Sequence, residues 1–293
     1  MLNNLTRNDF VSNQEVRWCP GCGDYAILAA MQRTLPELNI PKENIVFVSG
    51  IGCSGRFPYY MNTYGFHTLH GRAPAVASGL KMTNPELSVW VITGDGDGLS
   101  IGGNHLMHML RRNMDIKVLL FNNRIYGLTK GQYSPTSEQG KLTNTSPAGS
   151  LDRPLNPIAF ALSAGATFAA RALDIDAKNL GTIIKAAAKH KGSAFIEIYQ
   201  NCNIFNDGAF ANLTDKSTRD QNILWLDQKE GEDDLSKAFE LSQQIHPVPM
   251  GIFRSVEKPT YESMMKSSIL QSKSDASMVL KYMLNSGNIW DVV

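Results

Sequence analysis

The stretch VWVITGDGDGLSIGGNHLMHMLRRNMDIKVLLFNNRIYGLTKGQ, from Val89 to Gln132, contains the clearest strand–helix–strand pattern in the chain. Its first apolar run ends in Gly-Asp-Gly at 94–96, and its second ends in Asn122 and Asn123. Between the two runs the apolar residues have helical spacing. Short apolar runs that end in glycine or asparagine are typical of strands buried in a parallel sheet, so the stretch predicts one β–α–β unit.

The same pattern recurs on both sides of this unit, up to about residue 208. Strands are predicted at 44–50, 87–96, 116–123, 165–171 and 193–200, and helices at 23–35, 72–83, 101–112, 157–164 and 177–190. Alternating strands and helices of this length predict an α/β fold, with a mostly parallel sheet flanked by helices. Sheets of this class bind ligands beyond the carboxyl ends of their strands.

Two segments lack this regularity. Residues 124–156 are rich in Ser, Thr, Pro and Gly and have no periodicity, which at this length is typical of a functional or disordered loop. After about residue 208 the composition shifts, and the acidic stretch LDQKEGEDDLSKAFELSQQ indicates a solvated helix face. We therefore expect a main domain over 1–208 and a small C-terminal extension over 209–293.

Composition limits the classes of function. The chain has 293 residues, with 28 basic and 27 acidic side chains and a formal net charge of +1. This near-neutral balance argues against a role on nucleic acid or on a membrane surface. No 18-residue apolar run and no apolar N-terminal segment occur, so we expect a cytoplasmic protein. In such a chain four cysteines are not expected to form a disulfide framework.

The glycine-rich turn after the first apolar run offers ligands for a metal and for a phosphate. Mg²⁺ prefers hard oxygen ligands, which Asp95 and Asn123 would supply as a carboxylate and an amide carbonyl. Glycines at 94, 96 and 98 let the backbone approach a diphosphate, and the following helix would present its first N–H groups. A plain turn or a calcium-type acidic loop is the alternative. A dinucleotide fold is not indicated, since no G-x-G-x-x-G is followed by an acidic residue about 20 positions on.

These residues resemble the GDG…NN signature of thiamine-diphosphate enzymes, with 30 residues from Gly94 to Asn123. The resemblance implies that Asp95, Asn123 and the backbone carbonyl of Ile125 bind Mg²⁺, and that the glycines contact the diphosphate. It places Asp97 in the same turn, behind the metal ligands. The strand–turn–helix–strand context favours this interpretation over a plain turn.

The cysteines are Cys19, Cys22, Cys53 and Cys202. Cys53 and Cys202 directly follow predicted strands and are expected at the carboxyl edge of the sheet; the C-x-x-C pair precedes the first helix and can fold toward that edge. Four converging thiolates suit Zn²⁺ or an iron–sulfur cluster. Structural zinc sites more often use two close C-x-x-C pairs, which the distant Cys53 and Cys202 do not form. Buried free thiols are the remaining alternative.

One ordered set of motifs is more specific: W-C-P-G-C-G, G-I-G-C-S-G-R, H-G-R-A, G-D-G-D, N-N-x-I-Y-G-L-T-K-G-Q and the late cysteine. In this order they resemble the β subunit of 2-oxoacid:ferredoxin oxidoreductases, densely over residues 10–210 and more loosely at MGIFRSVEKPTYES. The resemblance implies that the four cysteines hold one [4Fe–4S] cluster close to thiamine diphosphate, both within residues 1–208.

The resemblance also implies a reaction. Thiamine diphosphate makes the bond next to a keto group cleavable, and a nearby cluster allows electrons to leave one at a time. The implied activity is the coenzyme A-dependent oxidative decarboxylation of a 2-oxoacid, with electrons passed to ferredoxin. The residues after 208 are too few for the pyrimidine-binding domain of such a site. A partner α chain is therefore implied, in a heterodimer or a dimer of heterodimers, and this chain is expected to be inactive alone.

The residues implied to contact the cofactor lie in four short segments. They are Ile51, Gly52, Cys53, Ser54, His70, Gly94, Gly96, Asp97, Gly127, Leu128 and Thr129. For His70, which precedes a predicted helix, a hydrogen-bonded core histidine is the alternative interpretation.

Four residues are expected to determine which substrate the enzyme uses. Arg56 would pair with a second carboxylate, which favours 2-oxoglutarate as the acid and succinyl-CoA and CO₂ as products. Lys130 adds positive charge for that carboxylate or for coenzyme A, Leu128 sets the pocket size, and His70 contacts the cofactor. Pyruvate or a broad range of 2-oxoacids is the alternative. More distant alternatives are a non-oxidative thiamine-diphosphate decarboxylase with structural zinc and a non-catalytic four-cysteine scaffold.

Overall fold

The computed structural model describes residues 5–226, 233–271, 280–281 and 284–285, and in this part of the chain eight strands form one sheet. In chain order they are β1 Ile45–Ser49, β2 Tyr64–His67, β3 Ser88–Gly94, β4 Ile116–Asn122, β5 Phe168–Leu173, β6 Ala194–Tyr199, β7 Ile223–Leu226 and β8 Val248–Ser255. Their order across the sheet is β2-β1-β3-β4-β6-β5-β8-β7. Neighbours are parallel except for β5 and β8, which pair antiparallel.

Helices cover both faces of this sheet. Those of the described residues are α1 Asp24–Thr34, α2 Ala73–Thr83, α3 Asp95–Leu99, α4 Gly103–Arg111, α5 Pro157–Ser163, α6 Ala177–Lys189, α7 Ala211–Thr214, α8 Arg219–Asn222, α9 Leu235–Gln243 and α10 Tyr261–Gln271. Helices α1 and α6 pack on one face, and α2, α4, α5 and α9 pack on the other. The predicted fold class, a mostly parallel α/β sheet flanked by helices, is confirmed.

The core lies on both sides of the central strands. Phe47 and Trp90 face the α1 and α6 layer, while their chain neighbours Val48 and Val91 face the α2 and α4 layer, and all four are buried. Because both faces are covered, these strands are continuous apolar runs in the sequence. The run predicted at 165–171 becomes a strand only at Phe168, because the preceding Gly165 turns with a left-handed φ of 88°.

The residues after 208 contribute two strands to the same sheet. β8 lies in a segment without clear periodicity. Because the strand is buried on both faces, its sequence does not alternate between apolar and polar residues as that of a half-exposed strand does. It lies beside β5, and β7 lies at the edge beyond it. Part of the predicted acidic helix face, at 227–232, lies outside the described residues, and α9 follows it.

The long loop at 124–156 contains no helix and only isolated bridges. Its first half is anchored by the buried hydroxyl groups of Ser134, Thr136 and Ser137. The Ser137 hydroxyl donates to the backbone carbonyl of Arg124 at 2.6 Å, which closes this part of the loop on itself. None of the helices in the described ranges has both the length and the apolar character needed to cross a membrane.

Candidate cofactor and metal site

A cleft lies at the carboxyl edge of the sheet, between β1 and β3. From β1 the chain crosses to β2 on one side and then to β3 on the other, and open α/β sheets place their ligands at such a switch point. The cavity in this cleft has a volume of about 50 Å³ and opens to solvent. Its wall includes all the residues expected to contact the cofactor, namely Ile51, Gly52, Cys53, Ser54, His70, Gly94, Gly96, Asp97, Gly127, Leu128 and Thr129. The residues expected to bind Mg²⁺ line the same cleft: Asp95, Asn123 and Ile125.

Asp95 is the first residue of α3 and is only 2% exposed. Its Oδ2 accepts hydrogen bonds from the hydroxyls of Ser134 and Thr136, at 2.5 and 2.6 Å. Burial raises the pKa of this carboxyl, and the two hydroxyl donors oppose the rise. A cation in the cleft would favour the ionised form, so the chemistry of Asp95 fits a metal ligand.

The two asparagines at the end of β4 have different surroundings. Asn122 is buried; its Nδ2 donates to Oε1 of Glu197 at 2.7 Å, and its Oδ1 accepts from the Thr136 hydroxyl at 2.8 Å. Asn123 lines the cleft, and its Oδ1 accepts the N–H of Ile125 at 3.1 Å. Asn122 therefore anchors the long loop, whereas Asn123 lines the cleft.

Asp97 joins three segments around the cleft. Its Oδ1 accepts from the backbone N–H groups of Ile51 at 3.1 Å and Gly71 at 2.8 Å, and lies 3.0 Å from Nδ1 of His70. Its Oδ2 accepts from the Thr93 hydroxyl at 2.6 Å. The His70 side chain is 48% exposed, so it is not a core histidine. With Nδ1 held by Asp97, Nε2 is the ring nitrogen that remains for a ligand.

The turn at Gly96 has no room for a side chain. A β-carbon there would lie 2.3 Å from the ring of Tyr126, whose hydroxyl donates to the Gly96 carbonyl at 3.0 Å. Glycine at this position therefore lets the Tyr126 ring pack directly against the turn that lines the cleft.

The thiols lie along the same edge of the sheet as the cleft. All four are free: Cys19, Cys22, Cys53 and Cys202. Cys53 follows β1 and lines the cleft, whereas Cys202 follows β6 and is buried. Their sulfur atoms lie 3.7 and 3.5 Å from the point where a β-carbon on Gly127 would sit. Both thiols therefore adjoin the loop that carries Asn123.

Burial and nearby groups shift the pKa values of Cys22 and Cys53. Burial raises the pKa of Cys22 and raises that of Cys53 to about 12, and in each case the carboxyl of Asp24 and the neighbouring thiols add to the rise. Within the described ranges, no group of three or more His, Cys, Asp or Glu side chains is arranged to hold a metal ion.

The residues expected to choose the substrate are not all in the cleft wall. Leu128 and His70 line the cleft. Arg56 and Lys130 lie outside its wall, and the Arg56 guanidinium donates to the carbonyl of Arg17 at 3.0 Å. Lys130 is exposed and has a left-handed φ of 76°. Such a φ favours glycine, so the loop holds Lys130 at a cost of about 1 kcal/mol.

Four residues of the cleft wall were not expected from the sequence: Asp24, Phe121, Tyr126 and Gln200. Asp24 is buried, and this burial, followed by the nearby carboxyl of Asp174, raises its pKa to about 7. Its Oδ2 and the Oε1 of Gln200 are buried atoms without a hydrogen-bond partner among the described residues. For two of these residues the sequence contains one indication of a place in the site, namely their closeness to a cysteine: Asp24 closely follows Cys22, and Gln200 closely precedes Cys202.

Comparison with known proteins covers nearly the whole chain. Residues 50–198 match the family model described as thiamine pyrophosphate enzyme, C-terminal TPP binding domain. The chain is 48% identical to the 2-oxoglutarate oxidoreductase subunit KorB of Mycobacterium tuberculosis, over 97% of this chain and 88% of that protein. It is 42% identical to the 2-oxoacid:ferredoxin oxidoreductase subunit beta of a Sulfolobus species, over 86% of each chain.

Among solved structures, the chain is similar to a 2-oxoglutarate:ferredoxin oxidoreductase from Magnetococcus marinus with 2-oxoglutarate, coenzyme A and succinyl-CoA bound. The two chains are 36% identical and superpose with a TM-score of 0.87, over 95% of this chain and 96% of that chain. Except for Asp24 and Gln200, the residues of the cleft wall lie within the range 50–198 that matches the family model. The chain belongs to the β subunits of the 2-oxoacid:ferredoxin oxidoreductases, a family of thiamine-pyrophosphate enzymes.

Proposed function

We propose that this chain is the β subunit of a 2-oxoglutarate:ferredoxin oxidoreductase. With a partner α chain it catalyses the coenzyme A-dependent oxidative decarboxylation of 2-oxoglutarate to succinyl-CoA and CO₂, and passes the electrons to ferredoxin. The observation that carries this proposal is the similarity, over 95% of the chain, to a structure with 2-oxoglutarate, coenzyme A and succinyl-CoA bound. Relatives named 2-oxoglutarate oxidoreductase or 2-oxoglutarate synthase subunits support the same substrate.

Asp95, Asn123 and the Ile125 carbonyl are assigned to Mg²⁺, with the diphosphate against the bare backbone at Gly96. When bound, thiamine diphosphate makes the bond next to the substrate's keto group cleavable. This assignment is supported by Asp95, Asn123 and Ile125 all lining the cleft and by the two hydroxyl groups that orient Asp95. Asp97 acts through its neighbours, by holding His70 and the backbone at Ile51 against the cleft.

The four cysteines are assigned to one [4Fe–4S] cluster. Each thiolate of such a cluster binds a different iron at a corner, so the sulfur atoms need not converge on one point as ligands of a zinc ion do. This agrees with Cys53 and Cys202 flanking Gly127 while no described group forms a single-ion site. Anaerobically purified protein should contain about four irons and four sulfides per chain, and Cys202→Ala should lose them. A colourless, zinc-loaded protein with full activity would refute this assignment.

Arg56 and Lys130 are retained as the candidate cations for the second carboxylate of 2-oxoglutarate or for coenzyme A. Both lie on segments that contribute to the cleft wall, Arg56 after Ser54 and Lys130 after Thr129. Leu128 is the candidate for setting pocket size, because it lines the cleft and is 47% exposed. Pyruvate or a broad range of 2-oxoacids remains the second candidate, since several relatives are named only as 2-oxoacid:ferredoxin oxidoreductase subunits.

A partner α chain is proposed to complete the cleft. Leu69 and Ile101 flank the His70 segment and are 74% and 57% exposed, and Phe66 is exposed on the edge strand β2. Large exposed apolar side chains beside a functional cleft mark an interaction surface, and an uncovered edge strand invites pairing. The relatives' naming as β subunits supports the same conclusion.

We assign both cofactors to residues 1–208, with 209–293 as an extension that completes the sheet. We also place the protein in the cytoplasm, where free thiols stay reduced.

The test is the activity of the anaerobically purified α/β complex with different acids. Ferredoxin reduction should require coenzyme A, and kcat/KM should be higher for 2-oxoglutarate than for pyruvate. This chain without its partner should be inactive. Equal use of both acids would replace 2-oxoglutarate by a broad substrate range. Release of CO₂ without ferredoxin reduction would indicate a non-oxidative decarboxylase.

A further inference from the structure

A second cavity lies at the carboxyl edge of the sheet and shares no lining residue with the cofactor cleft. It has a volume of about 190 Å³ and opens to solvent between the long loop at 124–156, the start of α5, the end of α9 and the start of β8. Its lining includes two arginines and a tyrosine, Arg124, Arg171 and Tyr199, whereas none of the described residues around it is acidic. The proposed function gives this cavity no role.

Arg171 brings a buried cation to the cavity, since its side chain is only 4% exposed. Its Nε donates to Oε2 of Glu197 at 2.7 Å, and its Nη1 donates to the carbonyl of Pro249 at 3.3 Å. Its Nη2 donates to no acceptor among the described residues. Because the fully buried side-chain atoms that lack a partner in the described ranges do not include Nη2, this atom keeps accessible surface. A ligand in the cavity can therefore reach it.

Tyr199 and Arg124 lie beside this guanidinium group. The Tyr199 ring stacks on Phe210 with ring centroids 4.2 Å apart, and Cζ of Arg124 lies 4.5 Å from the centre of the Phe210 ring. The centre of the Tyr199 ring lies 5.7 Å from Cζ of Arg124 and 5.3 Å from Cζ of Arg171. The Tyr199 hydroxyl donates to no acceptor among the described residues. Two cations and an unused hydroxyl donor are thus grouped around one aromatic ring.

The carboxylates that pair with the two arginines are not part of the cavity lining. Arg124 donates through Nη1 to Oε1 of Glu138 at 2.6 Å, and Arg171 donates to Glu197. Glu197 is 1% exposed and also accepts from Nδ2 of Asn122 at 2.7 Å. Because the cations line the cavity and their carboxylates do not, the cavity presents hydrogen-bond donors and positive charge. Such a surface favours a bound oxyanion.

The rest of the lining limits the size and polarity of that ligand. It includes the apolar residues Leu155, Pro157, Ile245 and Val248. The volume is below the range of about 300–1,000 Å³ that is typical of pockets for drug-sized ligands. A small molecule with one anionic end and an apolar body therefore matches the cavity.

We propose that this cavity is a binding site for a small organic carboxylate, separate from the cofactor cleft. The carboxylate accepts hydrogen bonds from Nη2 of Arg171 and from the Tyr199 hydroxyl, with the charge of Arg124 beside it. The apolar body of the acid packs against Leu155 and Val248. This inference does not depend on the proposed function.

The test is a titration of the full-length chain with 4-fluorobenzoate, followed by fluorine NMR. Wild type is compared with Tyr199→Phe, which removes only the unused hydroxyl. Tyr133→Phe is the matched control, because its hydroxyl lies outside the cavity and donates to the exposed Asp152. We expect saturable binding to wild type and to Tyr133→Phe, with a dissociation constant about tenfold higher for Tyr199→Phe, which loses a hydrogen bond to a charged group. Neutral 4-fluorobenzyl alcohol should bind to wild type at least about tenfold more weakly than the acid.

If Tyr199→Phe does not fold, Arg124→Gln serves instead, because Arg124 is partly exposed and its loss should weaken binding by a similar factor. The proposal is overturned if wild type shows no saturable binding, or if the variant binds the acid as tightly as wild type does. Displacement of the acid by thiamine diphosphate and Mg²⁺ would place it in the cofactor cleft and also overturns the proposal. Binding of inorganic phosphate but not of 4-fluorobenzoate overturns the assignment to an organic carboxylate.

Discussion

Asp97→Ala removes one carboxylate that four donors share: the N–H groups of Ile51 and Gly71, the hydroxyl of Thr93 and the ring of His70. The donors on Gly71 and Thr93 are in fully buried hydrogen bonds, so water does not replace the lost acceptor. Each buried donor left unpaired costs about 1–3 kcal/mol, and the two more exposed donors cost less because they regain water. We expect the free energy of unfolding to fall by roughly 4 kcal/mol, measured by urea denaturation followed by circular dichroism.

Asp97→Asn is the matched comparison, because its amide oxygen can still accept and the Thr93 hydroxyl can turn to accept from the amide nitrogen. We expect a loss of about 1–2 kcal/mol for this variant, from the missing charge. Asp152→Ala is the surface control, since that exposed carboxylate accepts only from the Tyr133 hydroxyl among the described side chains, and should cost less than about 0.5 kcal/mol. A loss below about 1 kcal/mol for Asp97→Ala would refute the role of Asp97 as the anchor of the cleft wall.

Three further predictions concern metal binding, pH and substrate. Asp95→Ala should abolish Mg²⁺-dependent binding of thiamine diphosphate to the α/β complex, because it removes a metal ligand; calorimetry that shows unchanged affinity would contradict the assignment. Burial and then Lys117 lower the pKa of His190 from 6.5 to about 4, so the unfolded chain takes up a proton first as the pH falls. The contribution of His190 to stability should be full above about pH 6.5 and decrease by roughly 3 kcal/mol toward pH 4. The raised pKa of Asp24 acts in the opposite direction, so the measured quantity is the difference in unfolding free energy between wild type and His190→Gln, which can still bond the Thr167 hydroxyl; in urea titrations this difference should fall by that amount between pH 6.5 and pH 4. Arg56→Ala should lower kcat/KM for 2-oxoglutarate about 100-fold and affect pyruvate far less; equal losses on both acids would leave the substrate an unspecified 2-oxoacid.

The central part of the fold was predictable from the sequence because its signals are local. Strands β1, β3, β4 and β6 are buried on both faces and appear as continuous apolar runs. Strand β2 was not predicted, because its four residues are all exposed at the edge of the sheet. Strand β8 was missed because its place depends on pairing with β5, which is distant in the chain.

The candidate site also has residues that were predictable from the sequence and residues that were not. The residues proposed to bind the metal and the cofactor lie in contiguous motifs at strand ends, where residue type and spacing indicate the chemistry. Ser134 and Thr136 orient Asp95 from a long loop without periodicity, so nothing in the sequence marks them. Gln200 lines the cleft where the turn after β6 meets the turn before α1, at the hydrogen bond from the Gly23 N–H to the Asn201 carbonyl. The direction of Arg56 depends on a bond to the Arg17 carbonyl, which sequence spacing cannot indicate.

In the proposed function, electrons from a 2-oxoacid bound in the cleft enter a cluster held by the same chain. Electron paramagnetic resonance of the anaerobic α/β complex, frozen after addition of 2-oxoglutarate and coenzyme A without ferredoxin, tests this directly. We expect the signal of a reduced [4Fe–4S] cluster, absent before the substrate is added and absent in Cys202→Ala. A cluster that stays oxidised while CO₂ is released, or a complex with no cluster, would contradict it.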